Sequence, residues 1–434
     1  MPQCPHCQEP VAADAERCHQ CGAWLADASL SNDEFEKSLR SLLIQGNKIE
    51  AIKLYRHHTG AGLAEATDAV ELIESENSEI QLIDRFEIVG SGSPRPDADR
   101  IIFCDGTGGR LFRAETDLEL SHWRPNCTAT EYRAGTSTEI CFRFLDNPRP
   151  GSWTVAVNNH VDVDGILSVY VLIHSQHAIA HRRTIIEAAE MGDFWGWGEP
   201  VAQRVFQGLT LLMNSERDGR EIYAEAFRRI PALIDGTDQD VSQIEESLAP
   251  LRRGVELVEN GQIIRTVIDP RLVRYVVPLT IAGDDDAPAS YAPDFNEPIS
   301  QKAVLWPQVR ARRDAEQVCL VCFERKTGWF HDLCFPGYLW ADTEGKWLVP
   351  GLTYHDGMRS YDLDNSWLFA AFEQLQRQET APGSWGLGGT RLPFGDELLG
   401  HFPLVGRFLN VQGHPAISQI SPDRVARLLE GAID

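Results

Sequence analysis

The sequence predicts an α/β protein built around a mainly parallel sheet, with further modules at both ends. Short apolar runs, Arg100-Ile-Ile-Phe-Cys-Asp105 and Ser152-Trp-Thr-Val-Ala-Val-Asn158, read as strands buried on both faces. Turn residues and then helix-period text follow each run, the alternation expected of parallel strands joined by helical crossovers. The beginning of the chain is different in kind. Cys4-Pro-His-Cys7 and Cys18-His-Gln-Cys21 are separated by ten residues, in a segment too short to bury a core.

The two cysteine pairs sit on tight turns, so four thiolates can close a tetrahedron around Zn²⁺. Residues 1–26 are therefore expected to be a zinc ribbon whose metal is structural, with His6 and His19 as bystanders. The ribbon carries more acid (Glu9, Asp14, Glu16, Asp27) than base (Arg17), which favours protein contact over nucleic acid. Ser31 and Glu34 form a helix-start signal, and three amphipathic helices follow at Glu34 to Gln45, Lys48 to His57 and Leu63 to Ser75. Residues 31–78 thus read as a small helical docking module, and 79–98, with Ser91-Gly-Ser-Pro-Arg-Pro-Asp97, as a linker. The text from Asn47 to Glu74, with I-x2-I-K-x2-R and T-G-x-G-L-x-E-A, resembles the C-terminal domain of the ribosomal stalk protein.

Composition bounds the rest. The 434 residues are 43% hydrophobic and 24% charged, ordinary for a globular chain of about three domains at ~150 residues each. A net charge of −24 argues against a broad phosphate-binding field and hence against long nucleic acid as a partner. The most apolar stretch, Ile166 to Ile173, is far shorter than the ~20 residues of a membrane span, and MPQCPHC has no signal-peptide pattern. A cytoplasmic location with reduced thiols is expected for the ten cysteines.

Residues 99–283 carry the chemistry. The first strand ends in Asp105 and the turn Gly106-Thr-Gly-Gly109; the second ends in Asn159-His160-Val-Asp162-Val-Asp164-Gly165. In an open α/β sheet, ligands bind beyond the carboxyl ends of the strands, where both acidic groups fall. Asp162 or Asp164 can cap the helix read from Ile166 to Ala180. Three ligand-type side chains within five residues would nevertheless repel in an apolar setting, and a divalent cation relieves that. Carboxylates with imidazole and no thiolate suit Mn²⁺ or Mg²⁺. His174, His177 and His181 share one helical face, which reads as exposed surface rather than a phosphate site.

Asn159-His160-Val-Asp162-Val-Asp164-Gly165-Ile-Leu-Ser168 is similar to the first motif of the DHH phosphoesterase superfamily, H-x-D-x-D-G-x-x-S. Phe103-Cys-Asp105 resembles the second motif. Leu120-Ser121-His122-Trp123-Arg-Pro-Asn126, followed by Gly135-Thr-Ser-Thr-Glu139, resembles the third, and Asp193 in Met191-Gly-Asp193-Phe is the candidate for the last ligand. The resemblance implies a circularly permuted catalytic domain in which Asp105, His122, His160, Asp162, Asp164 and Asp193 hold two Mn²⁺ or Mg²⁺ ions, with Asp105 as the bridge. It implies a phosphohydrolase that activates a water molecule through both ions, with Asp105, Asp164 and His122 catalytic, on a small phosphorylated substrate. The third motif departs from the family: Ser121-His122-Trp123 stands where Asp-His-His is usual, so Trp123 takes the place of a phosphate-facing histidine and is a candidate substrate-binding residue. That departure supports the competing view, a non-catalytic adaptor or ligand sensor.

Between them, Phe206 to Leu212, Glu221 to Leu233 and Val241 to Leu251 read as helices, and Arg271 to Ile281 as strand. Gly283-Asp-Asp-Asp286-Ala-Pro288 reads as a solvated boundary loop, and residues 287–434 as a separate α+β substrate or lid domain. Cys319, Cys322, His331 and Cys334 are read as strand residues rather than a second zinc site. Gly388, Gly389 and Arg391, in Gly383-Ser-Trp-Gly-Leu-Gly-Gly-Thr390-Arg391, are the candidate anion-binding loop of that domain.

Overall fold

The computed structural model describes residues 35, 38–39, 42–43, 47–77, 82–90, 92–158, 161–283, 296–336, 341, 352–355, 360–363, 366–387 and 405–430. The four N-terminal cysteines, His160, Gly388, Gly389 and Arg391 lie outside the described residues. The chain divides into two units, one of residues 1–81 with 145–151, the other of 82–144 with 152–434.

In the first unit, α1 (Lys48–Thr59) and α2 (Leu63–Asn77) flank the Gly-containing turn the sequence marks. Gly60 closes α1 at φ 75°, donating its N–H to Arg56 O, a left-handed cap that glycine adopts without Cβ cost. Phe35, Leu39 and Leu43, all helical, pack with Ala51 and Val70 into a small core.

The second unit begins with β1 (Leu82–Val89), followed by β2 (Ile101–Cys104), β3 (Leu118–Leu120), α3 (Ser137–Asp146) and β4 (Trp153–Asn158). These strands form one four-stranded sheet in the order β1-β4-β2-β3, with every pairing parallel. The linker expected over 79–98 is corrected here, since residues 82–89 are an edge strand paired to β4 along Val155 to Asn158. Charged positions Asp84, Arg85 and Glu87 interrupt its apolar pattern, which an edge strand tolerates because it has a neighbour on one side only.

A helical layer follows: α4 (Val163–Ile173), α5 (Ser175–Ala180), α6 (Arg182–Asp193), α7 (Pro200–Met213), α8 (Gly219–Asp235), α9 (Val241–Ser247) and α10 (Ala249–Glu259). Residues Val163 to Leu172 of α4 are all buried, which explains an apolar run without a polar face. The single helix expected from Ile166 to Ala180 breaks at His174. His177 Nδ1 lies 2.8 Å from the Tyr170 hydroxyl, and the His177 and His181 rings are 4.6 Å apart.

The remaining elements are β5 (Ile264–Val267), β6 (Leu272–Val277), α11 (Leu279–Ala282), α12 (Pro307–Asp314), β7 (Val318–Arg325), β8 (Gly328–Cys334), β9 (Leu352–His355), β10 (Ser360–Leu363), α13 (Ser366–Gln376), β11 (Ser384–Leu387), β12 (Val405–Leu409) and α14 (Pro422–Leu429). A second, six-stranded sheet has the order β11-β12-β8-β7-β6-β5 and is antiparallel except for β6 with β7; β9 and β10 pair separately. The boundary expected between 283 and 287 is therefore corrected. Strands β5 and β6, assigned by sequence to the first α/β domain, build the second sheet with β7 and β8. Gln207 reinforces the tie by exchanging hydrogen bonds with both the N–H and the carbonyl of Ile299. On β7 and β8, Cys319 faces Cys334 in register and Cys322 faces His331. Positions three apart on a strand point to opposite faces, so these four side chains do not converge.

Candidate metal centre

Parallel strands place their carboxyl ends on one edge, and three of them deliver the candidate ligands there. Asp105 directly follows β2, His122 is the second residue after β3, and Asp162 and Asp164 follow β4. Asp193 is supplied by the helical layer, as the last residue of α6. Asp105, His122, Asp162, Asp164 and Asp193 are all buried.

Asp105, His122 and Asp164 each offer a ligand atom within 4.8 Å of the others. His122 Nε2 lies 3.2 Å from Asp193 Oδ2, 3.6 Å from Asp164 Oδ2 and 4.0 Å from Asp105 Oδ1. Its Nδ1 is 2.7 Å from Gly135 O, and a carbonyl only accepts. Nδ1 therefore carries a proton, and Nε2 is the ring nitrogen turned toward three carboxylates. A metal-ligating imidazole is held in the same way, its far nitrogen fixed by a carbonyl and the near one free to face an ion.

The loops that carry these groups are stitched to one another. The Ser121 hydroxyl accepts the N–H of Gly106 at 2.9 Å and of Trp123 at 3.1 Å, joining the turn after Asp105 to that after His122. Thr136 caps α3 by accepting the Glu139 N–H, and Asp164 sits across the start of that helix. Its Oδ2 and Oδ1 accept the N–H groups of Ser137 and Thr138, each at 2.8 Å. Burial, joined by the neighbouring charge of Asp105, nevertheless holds the Asp164 carboxyl above the ordinary carboxylate range. Asp162 is the N-cap of α4, with Oδ1 accepting the Gly165 N–H at 2.7 Å. The capping role weighed for Asp162 is thus real, and it orients the carboxylate.

Gly165 explains the glycine of the D-x-D-G sequence. A Cβ there would stand 2.8 Å from Asp105 Oδ2, 3.0 Å from Asp162 Oδ1 and 3.1 Å from the Tyr223 hydroxyl. Asp105 consequently faces two ways, Oδ1 toward His122 and Oδ2 toward Asp162 and Tyr223. Its φ of 46° is a left-handed value that Asp adopts more readily than most side chains.

Trp123 is half-buried and tied to the centre. Its indole Nε1–H donates to Asp105 Oδ1 at 3.1 Å. Two residues outside every motif also reach the centre. Tyr223 comes from α8, and Asn296 accepts the Val163 N–H through Oδ1, at the start of α4. Neither carries a local signature: one is a tyrosine in an amphipathic helix, the other a lone asparagine beyond an acidic loop.

The donor set fits a hard divalent cation. Octahedral ligands about 2.1 Å from an ion lie ~3.0 Å apart when adjacent and ~4.2 Å apart when opposite. The separations around His122 Nε2 fall close to that range.

A family model described as a family of unknown function (DUF6687) matches residues 92–280, the span that contains all of these residues except Asn296. No curated protein matches the chain. A solved structure titled as the DHH domain of a member of the s1p family of ribosomal proteins aligns at a TM-score of 0.28 and 13% identity, covering 93% of this chain and 84% of that one. Among the described residues, no helix is long and apolar enough to cross a membrane.

Proposed function

We propose that the protein is a divalent-metal-dependent phosphohydrolase of DHH type. Its substrate would be small and phosphorylated: a short oligonucleotide, cyclic dinucleotide, nucleotide bisphosphate or pyrophosphate-like compound. The observation that carries this reading is the buried convergence of Asp105, His122 and Asp164, with Asp193 at the same imidazole nitrogen. Carboxylates gathered around one imidazole nitrogen are a donor set that a divalent cation completes.

Carboxylate oxygens with imidazole and no thiolate favour Mn²⁺ or Mg²⁺, and ions of this kind supply Lewis acidity toward water and phosphoryl oxygens. Asp105, Asp164, His122 and Asp193 would hold one ion. Asp105 Oδ2 and Asp162 would hold the second, together with His160, which lies outside the described residues. Asp105 is suited to be the shared ligand because its two oxygens face the two sides. Gly135 keeps His122 Nε2 aimed at the site, and the N-terminus of α3 holds Asp164 against rotation. The ribbon cysteines Cys4, Cys7, Cys18 and Cys21 would carry a structural Zn²⁺, and the ribbon or helical module would dock a protein partner.

One observation favours the second reading, a ligand sensor without turnover. Trp123 gives its indole N–H to Asp105 Oδ1 and has no imidazole to offer a phosphate. Metal analysis of the full-length protein, followed by a Mn²⁺-supplemented panel of phosphodiesters and pyrophosphates, separates the two. The hydrolase reading expects Mn²⁺ uptake and a turnover lost at least ~100-fold in Asp164→Ala. Mn²⁺ uptake without turnover would favour the sensor, and a protein that takes up neither Mn²⁺ nor Mg²⁺ would overturn the metal centre.

A further inference from the structure

Tyr223 is a polar group at this centre for which the donor set above has no use. The start of α8 positions it firmly. Asp218 and Glu221 form a reciprocal capping box, with the Glu221 N–H on Asp218 Oδ1 at 3.0 Å and the Asp218 N–H on Glu221 Oε2 at 3.1 Å. Gly219 lies against Val161 and Ile88, where an added Cβ would be 3.4 Å from each, so the helix abuts the residue before Asp162. The Tyr223 ring packs against Phe86 at 4.9 Å and Phe227 at 5.9 Å.

That packing buries the side chain completely and brings its hydroxyl to the Asp105–Asp162 side of the site. The hydroxyl has no hydrogen-bond partner among the described residues. A fully buried, unsatisfied hydroxyl beside two carboxylate oxygens is unfavourable unless something is meant to accept from it. Burial and the nearby carboxylates, Asp162 foremost, keep the phenol protonated, so it is available as a donor.

We propose that the Tyr223 hydroxyl is a hydrogen-bond donor of the metal centre, holding a water molecule between Asp105 Oδ2 and Asp162 Oδ1. The proposal rests on the metal-centre reading above and adds to it a residue that none of the sequence motifs contains. Such a donor steadies the water on the side of the second ion and orients its lone pairs. It acts only when that water is in place, so its loss is felt in the ion-loaded state rather than in the fold.

The test compares full-length wild type with Tyr223→Phe, by calorimetric Mn²⁺ titration and by thermal melting with and without Mn²⁺. The metal-free variant is expected to melt no lower than wild type, because the lost hydroxyl has no partner in the described structure. Its Mn²⁺ affinity is expected to fall about three- to ten-fold, the worth of one hydrogen bond, and any turnover to lose kcat with KM unchanged. A tyrosine that is merely structural gives the reverse, a lower metal-free melting temperature with unchanged Mn²⁺ affinity, and that result overturns the proposal. Wild type that binds no Mn²⁺ overturns the metal centre together with it, whereas normal wild-type binding matched by Tyr223→Phe overturns this proposal alone. If the variant does not fold, wild type labelled with 3-fluorotyrosine decides instead. One fluorine signal must broaden with substoichiometric Mn²⁺ and shift with Mg²⁺, and no such signal means no such donor.

Discussion

Asp105→Asn should stabilise the metal-free protein while destroying its metal binding, a sign opposite to that of most buried substitutions. Asp105 and Asp164 present oxygens within 4.8 Å of each other, and Asp193 meets the same nitrogen of His122. Two unit charges at that distance repel by about 3.5 kcal/mol at an effective dielectric near 20. The Trp123 N–H on Asp105 and the helix N–H groups on Asp164 offset part of this, leaving about 1–3 kcal/mol to be relieved. The replacement keeps the described contacts of the side chain. Asn tolerates the left-handed backbone at this position, and its Oδ1 can go on accepting from Trp123. Its Nδ2 would then point where Oδ2 points now, toward Asp162 Oδ1 and the Tyr223 hydroxyl, both of which can accept from it. For a cooperative unit of this size, the gain corresponds to a melting temperature raised by about 2–4 °C at neutral pH without metal. Calorimetric titration should show Mn²⁺ affinity reduced at least ~100-fold, since a shared anionic ligand has been lost. A metal-free variant less stable than wild type, or one with intact Mn²⁺ affinity, would refute the electrostatic argument.

Gly165→Ala should cost about 1–3 kcal/mol and weaken Mn²⁺ binding, because its Cβ would push apart Asp105 and Asp162; denaturant unfolding and the same titration read both effects. His331 is buried, with Nε2 donating to Ile420 O and Nδ1 beside the Cys322 thiol, and burial depresses its pKa to about 4. The unfolded chain therefore binds this proton first as pH falls below ~6.5, and about 3 kcal/mol of stability should drain away between pH ~6.5 and ~4. His331→Gln should flatten that part of the stability–pH curve. Gln207→Leu should cost about 2–4 kcal/mol in urea unfolding, since it strands both backbone groups of Ile299 in the interior.

What the sequence alone determined about this protein was local. Continuous apolar runs marked β2 and β4, because strands of a covered parallel sheet have no polar face to show. Gly60 and the caps around it bounded α1 and α2 within two residues, since helix ends are decided by neighbouring backbone groups. Asp105, Asp162 and Asp164 were legible because each stands where a strand stops, and parallel strands bring such ends together whatever their order in the chain. Tertiary structure decided the rest. The charged strand β1 is recognisable only once β4 lies beside it, and β5 and β6 join the second sheet through pairings that cross the acidic loop. The bond from Trp123 to Asp105 could not be read from the third motif, and Tyr223 reads as an ordinary core aromatic until its hydroxyl is found beside Asp105 and Asp162. Helix and strand periods report which face is buried, whereas the atom a polar tip meets depends on elements far away in the chain, and only the assembled fold supplies it.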